Sequence, residues 1–228
     1  SAISGSKRPF IFIVSDLVEG VEVMKFYYSI KSPHRRNTQL REFFLFLVPG
    51  NSEKTIMIEI LRNRRSIRKY TGQKIEPEKT DVLKEALLRS PSSKNINPWE
   101  FIFVDEPEKL QQLGECKAHG TTPLATAPLA VVVCADETKN DVWIEDCSIA
   151  SVLLQLSAQS LGLGSCWIQI RNRMHPAGIT SEKYIQQLLN IPENYRVLSI
   201  ITLGYPVKTR EGKPFEELQF EKIRWNQF

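Results

Sequence analysis

Beyond residue 55, apolar and polar positions follow a regular order of helices and strands. Ile56, Ile60 and Leu61 recur at helical spacing and predict a short helix. A second helix is predicted to begin at Pro77, where the missing N–H costs nothing, and to end before Pro91, because proline pushes the preceding residue away from helical angles. Four apolar runs then predict strands, at 100–104, 129–135, 165–170 and 196–203.

A long helix is predicted over residues 146–161, between the second and third of these strands. Apolar or small residues occupy nearly every side of it, a pattern typical of a helix that is buried all round. Asp146 is predicted as its N-cap, and Gly162 with Gly164 as its C-terminal stop. In a domain of this size, a helix without a polar face usually packs partly against a second subunit. The pattern therefore predicts a homodimer.

Residues 1–55 are predicted to be an N-terminal extension of unknown role, separate from a domain at 56–228. Two aromatic-rich runs, 10–14 and 43–46, resemble strands on either side of a charged stretch at 31–36, but no hairpin pattern is evident. Such a segment is not expected to bury its own apolar face. It packs on the main domain or on a partner, or it is upstream sequence carried by an early start; the sequence leaves these alternatives open.

Composition narrows the classes of function. The formal net charge of +4 is spread among 26 acidic residues, so the chain is only mildly basic and no nucleic-acid partner is predicted. The three histidines lie far apart without companions at ligand spacing, so no metal site is predicted. The four widely spaced cysteines favour a reducing compartment, the cytoplasm. The apolar runs near the start are far shorter than the roughly 20 residues that span a bilayer, so no membrane association is predicted.

Four stretches of the sequence could carry chemistry. In the basic cluster at 62–70 (RNRRSIRKY), arginine forks and a serine hydroxyl suit phosphate oxygens, so Arg64, Arg65 and Ser66 could form one wall of a phosphate site. The other three are a hydroxyl- and amide-rich loop, a glycine-rich turn and a basic pair, at 90–101, 161–168 and 221–225. Taken singly, each also fits an ordinary structural role: a solvated turn, a helix-to-strand loop, a helix stop or a solvated tail.

Motifs of side-chain catalysis are missing from the sequence. It contains no G-x-S-x-G elbow, no Cys/His pair in a recognisable setting and no paired metal carboxylates. If the chain is an enzyme, a cofactor is therefore expected to supply the chemistry.

Taken together and in this order, the four stretches resemble the FMN-dependent nitroreductase family. The resemblance covers roughly residues 57–228. It implies an α+β fold with a central, mainly antiparallel sheet flanked by helices, and a homodimer whose interface holds the long buried helix and two FMN sites. The residues that carry it are Arg64–Tyr70, Ser90–Asn95 with Asn97–Trp99, Glu145–Asp146, Leu161–Trp167 and Leu203–Pro206.

The resemblance implies a set of FMN-binding residues. It places one group on the phosphate and ribityl side, Arg68 near the pyrimidine edge of the ring, and a loop that the other subunit lends to the same flavin. A C-terminal basic pair closes on the phosphate, and one strand faces the flavin edge. The phosphate and ribityl side is assigned to Arg64, Arg65 and Ser66, and the pyrimidine edge to Arg68. The loop from the other subunit contributes Pro91, Ser92, Ser93 and Asn95. The C-terminal basic pair is Lys222 and Arg224, and the strand contributes Trp167 and Gln169.

The sequence departs from the family pattern at two places. Where many longer members carry Pro-x-Glu-Gly, this chain has Trp167–Ile170. There is also no clear match for the asparagine and lysine that approach the ring from the segment before the second strand. Residues 115–122 occupy that region, so the cover of the active site is expected to differ.

The implied activity is hydride transfer from NADH or NADPH through FMN to a nitroaromatic, a quinone or a similar small oxidant, in a ping-pong cycle. The flavin N5 carries the chemistry, so no catalytic side chain is assigned. Two alternatives remain. A superfamily flavoenzyme could instead catalyse dehydrogenation, dehalogenation or flavin fragmentation, and a non-enzymatic basic dimer could bind nucleic acid or a protein partner through residues 1–55.

Overall fold

A computed structural model describes the backbone of residues 11–18, 21–30, 39–45 and 56–228, and the side chains from Met57 onward. The chain forms two compact units, residues 1–56 and 57–228. Among the helices so described, none combines the length and the apolar character that a membrane span requires.

The first unit contains a three-stranded antiparallel sheet in the order β1-β2-β3. The expectation that this segment has no hairpin pattern is therefore wrong. Its strands are Ile11–Val18, Val21–Ile30 and Gln39–Leu45. The middle strand was not predicted, because charged residues interrupt its apolar positions. The charged stretch at 31–36 lies outside the described residues.

The second unit is an α+β domain, which confirms the predicted fold class. Its four strands form an antiparallel sheet in the order β4-β5-β7-β6. The helices α3 and α5 were not predicted, whereas the other elements were. In chain order the elements are α1 Ile56–Asn63, α2 Pro77–Leu88, β4 Trp99–Val104, α3 Pro107–Gly114, β5 Leu129–Asp136, α4 Trp143–Ser160, β6 Gly164–Gln169, α5 Ser181–Leu189 and β7 Tyr195–Gly204.

Helices cover both faces of this sheet. Along β5, Val131 and Val133 pack in one hydrophobic cluster with α2 and α4. The alternate residues Ala130 and Val132 pack in a second cluster with α3 and α5. This alternation follows from the two-residue period of a strand. Every residue of β5 is buried, as expected for a central strand with helices on both sides.

The long helix α4 differs from its prediction in three respects. It begins at Trp143, so the residue at the N-cap is Val142 and Asp146 lies inside the first turn. In the single chain the helix is not buried all round, because 43% of Ile149 and 47% of Val152 are exposed, and burial of this side against a second subunit stays a prediction. Gly162, with a φ of +74°, follows the helix as predicted, but Gly164 is the first residue of β6.

Candidate functional site

The basic segment 64–70 lies along the start of the edge strand β6. The Ile67 N–H donates to the Ser165 carbonyl at 2.9 Å, and Ser66 forms a parallel bridge with Ser165. The approach requires glycine at position 164, because a Cβ there would lie 2.7 Å from the Ile67 side chain. The segment is thus fixed to the sheet by its backbone, and its arginine side chains project from a rigid support.

Tyr70 anchors the far end of the same segment. Its hydroxyl donates to the Ile67 carbonyl at 2.8 Å and lies 2.8 Å from the Thr202 hydroxyl on β7. Its backbone N–H donates to the Thr126 hydroxyl at 3.0 Å. The ring is 2% exposed, and this burial raises the pKa of the Tyr70 phenol. A buried phenol with its hydroxyl bonded holds the segment in one register.

Three cations act electrostatically on the buried thiol of Cys166 on β6. Burial raises the pKa of Cys166, and Arg68, Arg64 and Lys117 each act to lower it. Among the described residues, no carboxylate forms an ion pair with any of these cations. Unpaired cations on one edge of a sheet form a site for an anion.

Lys117 is a candidate site residue that the sequence analysis did not identify. Its Nζ donates to the Gln169 carbonyl at the end of β6 at 2.9 Å. Desolvation lowers the pKa of Lys117, with a smaller contribution of the same sign from Arg173. It lies in the segment 115–122, where no family lysine could be matched. A single lysine in a polar segment carries no distinguishing pattern, so only its contact with β6 reveals it.

Trp167 and Gln169 were predicted to bind the cofactor, but their polar side-chain atoms are engaged within the chain. The Trp167 indole N–H donates to Gln169 Oε1 at 2.9 Å, and Gln169 Nε2 donates to the Arg171 carbonyl at 3.0 Å. A ligand beside β6 would therefore meet the backbone and the Trp167 ring rather than a free amide.

Arg65 turns toward the chain that follows β7. It lines a cavity of about 160 Å³ together with Gln159 and Arg210. In the same region Gly212 lies against α1, since a Cβ at this position would fall 1.9 Å from the Arg62 carbonyl oxygen. The post-β7 chain therefore returns to the basic segment, with Arg65 and Arg210 on the same small cavity.

Lys222 and Arg224 are exposed near the C-terminus. The Arg224 guanidinium lies 5.6 Å from the centre of the Phe228 ring. Among the described residues, no carboxylate forms an ion pair with Lys222 or Arg224. Their assignment to the phosphate stays a prediction.

The loop at 91–97 is the remaining predicted element. Asn97 N–H donates to Ser92 Oγ at 2.9 Å, and Ser92 Oγ donates to Asn97 Oδ1 at 2.7 Å. Ser93 N–H donates to Asp146 on α4 at 2.9 Å, which ties the loop to that helix. Pro91 and Asn95 are exposed at the loop surface. Side chains that face solvent on a fixed loop are available to a neighbouring molecule.

A larger cavity of about 790 Å³ lies beside Tyr70 and α3. Lys74, Leu110 and Thr126 are among its lining residues. The cations Arg64, Arg68 and Lys117 do not line it, so its size alone does not make it part of the cation cluster. These three cations, which have no ion-pair partner among the described residues, locate the candidate site at β6 instead.

Comparison with known proteins identifies the family of the chain. A model of the nitroreductase family matches residues 61–131 and 117–205. A Methanothermobacter thermautotrophicus protein, provisionally named NADH dehydrogenase/NAD(P)H nitroreductase, is 35% identical over 77% of this chain and 92% of its own length. An NADPH-flavin oxidoreductase of Vibrio harveyi is 29% identical over 69% of this chain and 68% of its own length.

A solved structure supports the same relationship. The FMN-dependent nitroreductase from Clostridium difficile R20291 is 48% identical, with a TM-score of 0.74, and the match covers 75% of this chain and 99% of that chain. The matched family model spans more than half of the sequence, and the antiparallel sheet with its covering helices agrees with the fold of these relatives. The chain belongs to the nitroreductase family.

Proposed function

We propose that the chain transfers hydride from NADH or NADPH, through FMN, to a nitroaromatic, a quinone or a similar small oxidant in a ping-pong cycle. Family membership makes it an NAD(P)H-dependent flavin oxidoreductase with FMN as cofactor. The observation that carries the proposal is the arginine-bearing segment 64–70, which is bonded by its backbone to the start of β6, together with Lys117, which is bonded to the end of the same strand.

The residues present fit FMN. A phosphate requires several donors with positive charge, and Arg64 and the Ser66 hydroxyl provide them from one rigid segment, while Arg65 adds a second guanidinium from the neighbouring cavity that it lines with Arg210. We assign these three residues to the phosphate and ribityl side. Arg68 and Lys117 then serve the pyrimidine edge, because Arg68 follows Arg64 by four residues and Lys117 is bonded to the Gln169 carbonyl at the other end of β6. We assign this FMN-binding domain to residues 56–228.

The bound flavin supplies the hydride chemistry at its N5 atom. The chain's own residues therefore need to hold the ring, stabilise negative charge on it and leave one face open, which requires no acid or base side chain. A cation about 4 Å from the N1/C2 edge contributes roughly 4 kcal/mol at an effective dielectric of about 20, before desolvation. We assign this cation to Arg68.

The proposed site is completed by a second copy of the chain in a cytoplasmic homodimer. Exposed Ile149 and Val152 on α4 are suited to an apolar interface, and the 91–97 loop is tied to that helix. The C-terminal segment exposes further apolar side chains, including Phe220 and Trp225, around Lys222. Light scattering at micromolar concentration should give a dimeric mass; a monomeric mass would contradict this part of the proposal.

The first experiment is the visible absorption spectrum of the purified protein, followed by anaerobic addition of NADH and NADPH in separate cuvettes. We expect flavin peaks that bleach with at least one donor and return when a nitroaromatic or a quinone is added. A protein that is colourless and does not bind added FMN would overturn the proposal. Bleaching without reoxidation by either oxidant class would overturn the assigned substrates while retaining the flavoenzyme.

The role of Arg68 has its own test. Arg68→Ala should lower the midpoint potential of the flavin, because the cation favours the reduced, anionic ring. Lys69→Ala is the matched control, since in an extended segment neighbouring side chains point to opposite sides. An unchanged potential in Arg68→Ala would assign the stabilising charge to another residue.

A further inference from the structure

The 92–97 loop has a backbone that is unfavourable without outside support. Lys94, Asn95 and Asn97 have φ values of 53°, 56° and 52°, in the left-handed region, and none of them is glycine. Asparagine tolerates this region better than most residues, whereas lysine does not. Three such residues in one short loop persist only where surrounding contacts determine the conformation.

The carboxylate of Asp146 provides the contact from outside the loop. Oδ1 accepts from the Ser93 N–H at 2.9 Å, and Oδ2 accepts from Asn140 Nδ2 at 2.7 Å. Asp146 is 3% exposed, and Asn140 is buried beside it. Hydrogen bonds to a buried carboxylate are among the stronger ones, so this contact has fixed geometry.

The position of Asp146 in α4 strengthens the contact. It lies in the first turn of the helix, where free N–H groups and the helix dipole favour a negative charge. Asp146 has no direct access to a ligand beside β6, so its effect on any ligand must pass through Ser93. The same helix exposes Ile149 and Val152, the surface assigned above to the second copy.

We propose that Asp146 is a positioning residue: by holding Ser93 it fixes the shape of the 92–97 loop, and thereby controls FMN affinity in the partner subunit. This inference rests on the proposed function, namely an FMN site completed across a homodimer. It concerns a residue that touches neither substrate nor cofactor and acts on a flavin bound mainly by the other chain.

The first test compares the FMN dissociation constants of apoprotein variants by fluorescence titration, alongside the thermal unfolding of each apoprotein. Asp146→Ala should weaken FMN binding at least tenfold. Asp146→Asn should recover most of the affinity, because its Oδ1 still accepts from the Ser93 N–H and the Asn140 amide can flip to accept from the new NH2 group. Asp141→Asn, an exposed acid just before α4, is the matched control and should bind as the wild type does.

A second pair of variants isolates the Ser93 N–H itself. Ser93 opens a 3₁₀ turn after Ser92, whose φ of −139° and ψ of 158° are compatible with a following proline. Ser93→Pro should therefore lose only the donor and the hydroxyl, while Ser93→Ala loses the hydroxyl alone. We expect Ser93→Pro to bind FMN more weakly than Ser93→Ala, which keeps the test available if Asp146→Ala fails to fold.

Mixed dimers test whether Asp146 acts across the interface. A dimer of one Asp146→Ala chain and one Arg64→Ala chain should retain one FMN site of wild-type affinity. A dimer of a wild-type chain and a chain carrying both changes should retain none, because each site then contains one altered element. The reverse pattern would show that Asp146 acts within its own chain and would overturn the proposal.

The outcomes separate this inference from the proposed function. Wild-type protein that binds no FMN overturns the proposed function, and this inference with it. A second outcome is that wild-type protein binds FMN and a folded variant binds it with nearly the affinity of its control. If the FMN dissociation constant of Asp146→Ala lies within twofold of that of Asp141→Asn, or that of Ser93→Pro within twofold of that of Ser93→Ala, only the role of Asp146 is overturned. A lower unfolding temperature with unchanged affinity would identify a purely structural residue and would also overturn it.

Discussion

The segment 64–70 and the loop 92–97 are both assigned to the same flavin, yet the chain holds them in different ways. The segment is fixed by backbone bonds to β6 and by the buried Tyr70. The loop has left-handed residues and depends on side-chain contacts, from Ser92 within it and from Asp146 outside it. The first should therefore be rigid in a single chain, whereas the second should respond to single side-chain changes.

The largest effect is expected from removing a cation from the rigid segment. Arg64→Ala should weaken FMN binding about 10- to 150-fold, because a hydrogen bond to a charged group contributes about 1.5–3 kcal/mol. Thermal unfolding of the apoprotein should not change, since the backbone support remains. The control is Arg89→Ala at the C-cap of α2, where the arginine is exposed and paired with Glu85. A variant that purifies fully loaded with FMN would contradict the assignment of Arg64.

The next largest effect is expected from disturbing the contact between segment 64–70 and β6. Gly164→Ala forces a Cβ to within 2.7 Å of Ile67, and overpacking of this kind costs about 1–3 kcal/mol. Urea unfolding should show lower stability of the apoprotein, together with weaker FMN binding. Gly114→Ala is the control, because its Cβ would lie 4.0 Å from the nearest atom, Leu124 Cβ. Equal stability of the two variants would mean that segment 64–70 moves to accommodate the added Cβ at little cost in free energy.

A smaller effect is expected from alkaline pH. Burial raises the pKa values of the Tyr70 phenol and the Cys166 thiol, so the folded chain holds these protons more tightly than the unfolded chain. Their stabilisation is complete below about pH 9 and is lost as the pH rises, by at most about 1.4 kcal/mol per pH unit for each group. Urea unfolding at pH 8 and pH 10.5 should show this loss. In Tyr70→Phe the loss should be smaller; an identical pH dependence would contradict a contribution from Tyr70.

The smallest effect is expected from the loop's internal contact. Ser92→Ala removes both hydrogen bonds between Ser92 and Asn97, worth about 0.5–1.5 kcal/mol each, at an exposed edge of the loop. FMN affinity should fall by less than for Arg64→Ala, without a change in apoprotein unfolding. Ser160→Ala, an exposed serine at the end of α4, is the control. A large loss of stability would show that the loop supports the domain rather than the ligand.

Much of the second unit was predictable because its signals are local. Pro77 opens α2 as expected, and the four predicted strands are present within a residue or two of their expected ends. The basic segment was also recognisable, since arginines clustered around a serine suggest an anion from sequence alone. These features depend on neighbouring residues, so a linear pattern contains them.

The features that escaped prediction depend on distant contacts. Asp146 resembled an N-cap because an acidic residue preceded a run of apolar ones, but Trp143 and Ile144 extend the helix and leave its carboxylate free to reach Ser93. Lys117 is identified only by its bond to the Gln169 carbonyl, 52 residues away in the chain. The helices α3 and α5 are exceptions: they have eight and nine residues, and their apolar residues recur at helical spacing, so a local signal for them was present in the sequence.

The position of segment 64–70 has a consequence for the behaviour of the protein in solution. β6 is an edge strand, and Ser66 and Ile67 occupy part of its open side. An uncovered edge offers unpaired backbone groups to a strand of another molecule and invites aggregation. The arginine-rich segment thus shields the edge with backbone while repelling like-charged neighbours. Truncations that remove this segment are expected to yield insoluble protein. The residues that are assigned to the flavin also prevent a strand of another molecule from pairing with the edge of the sheet.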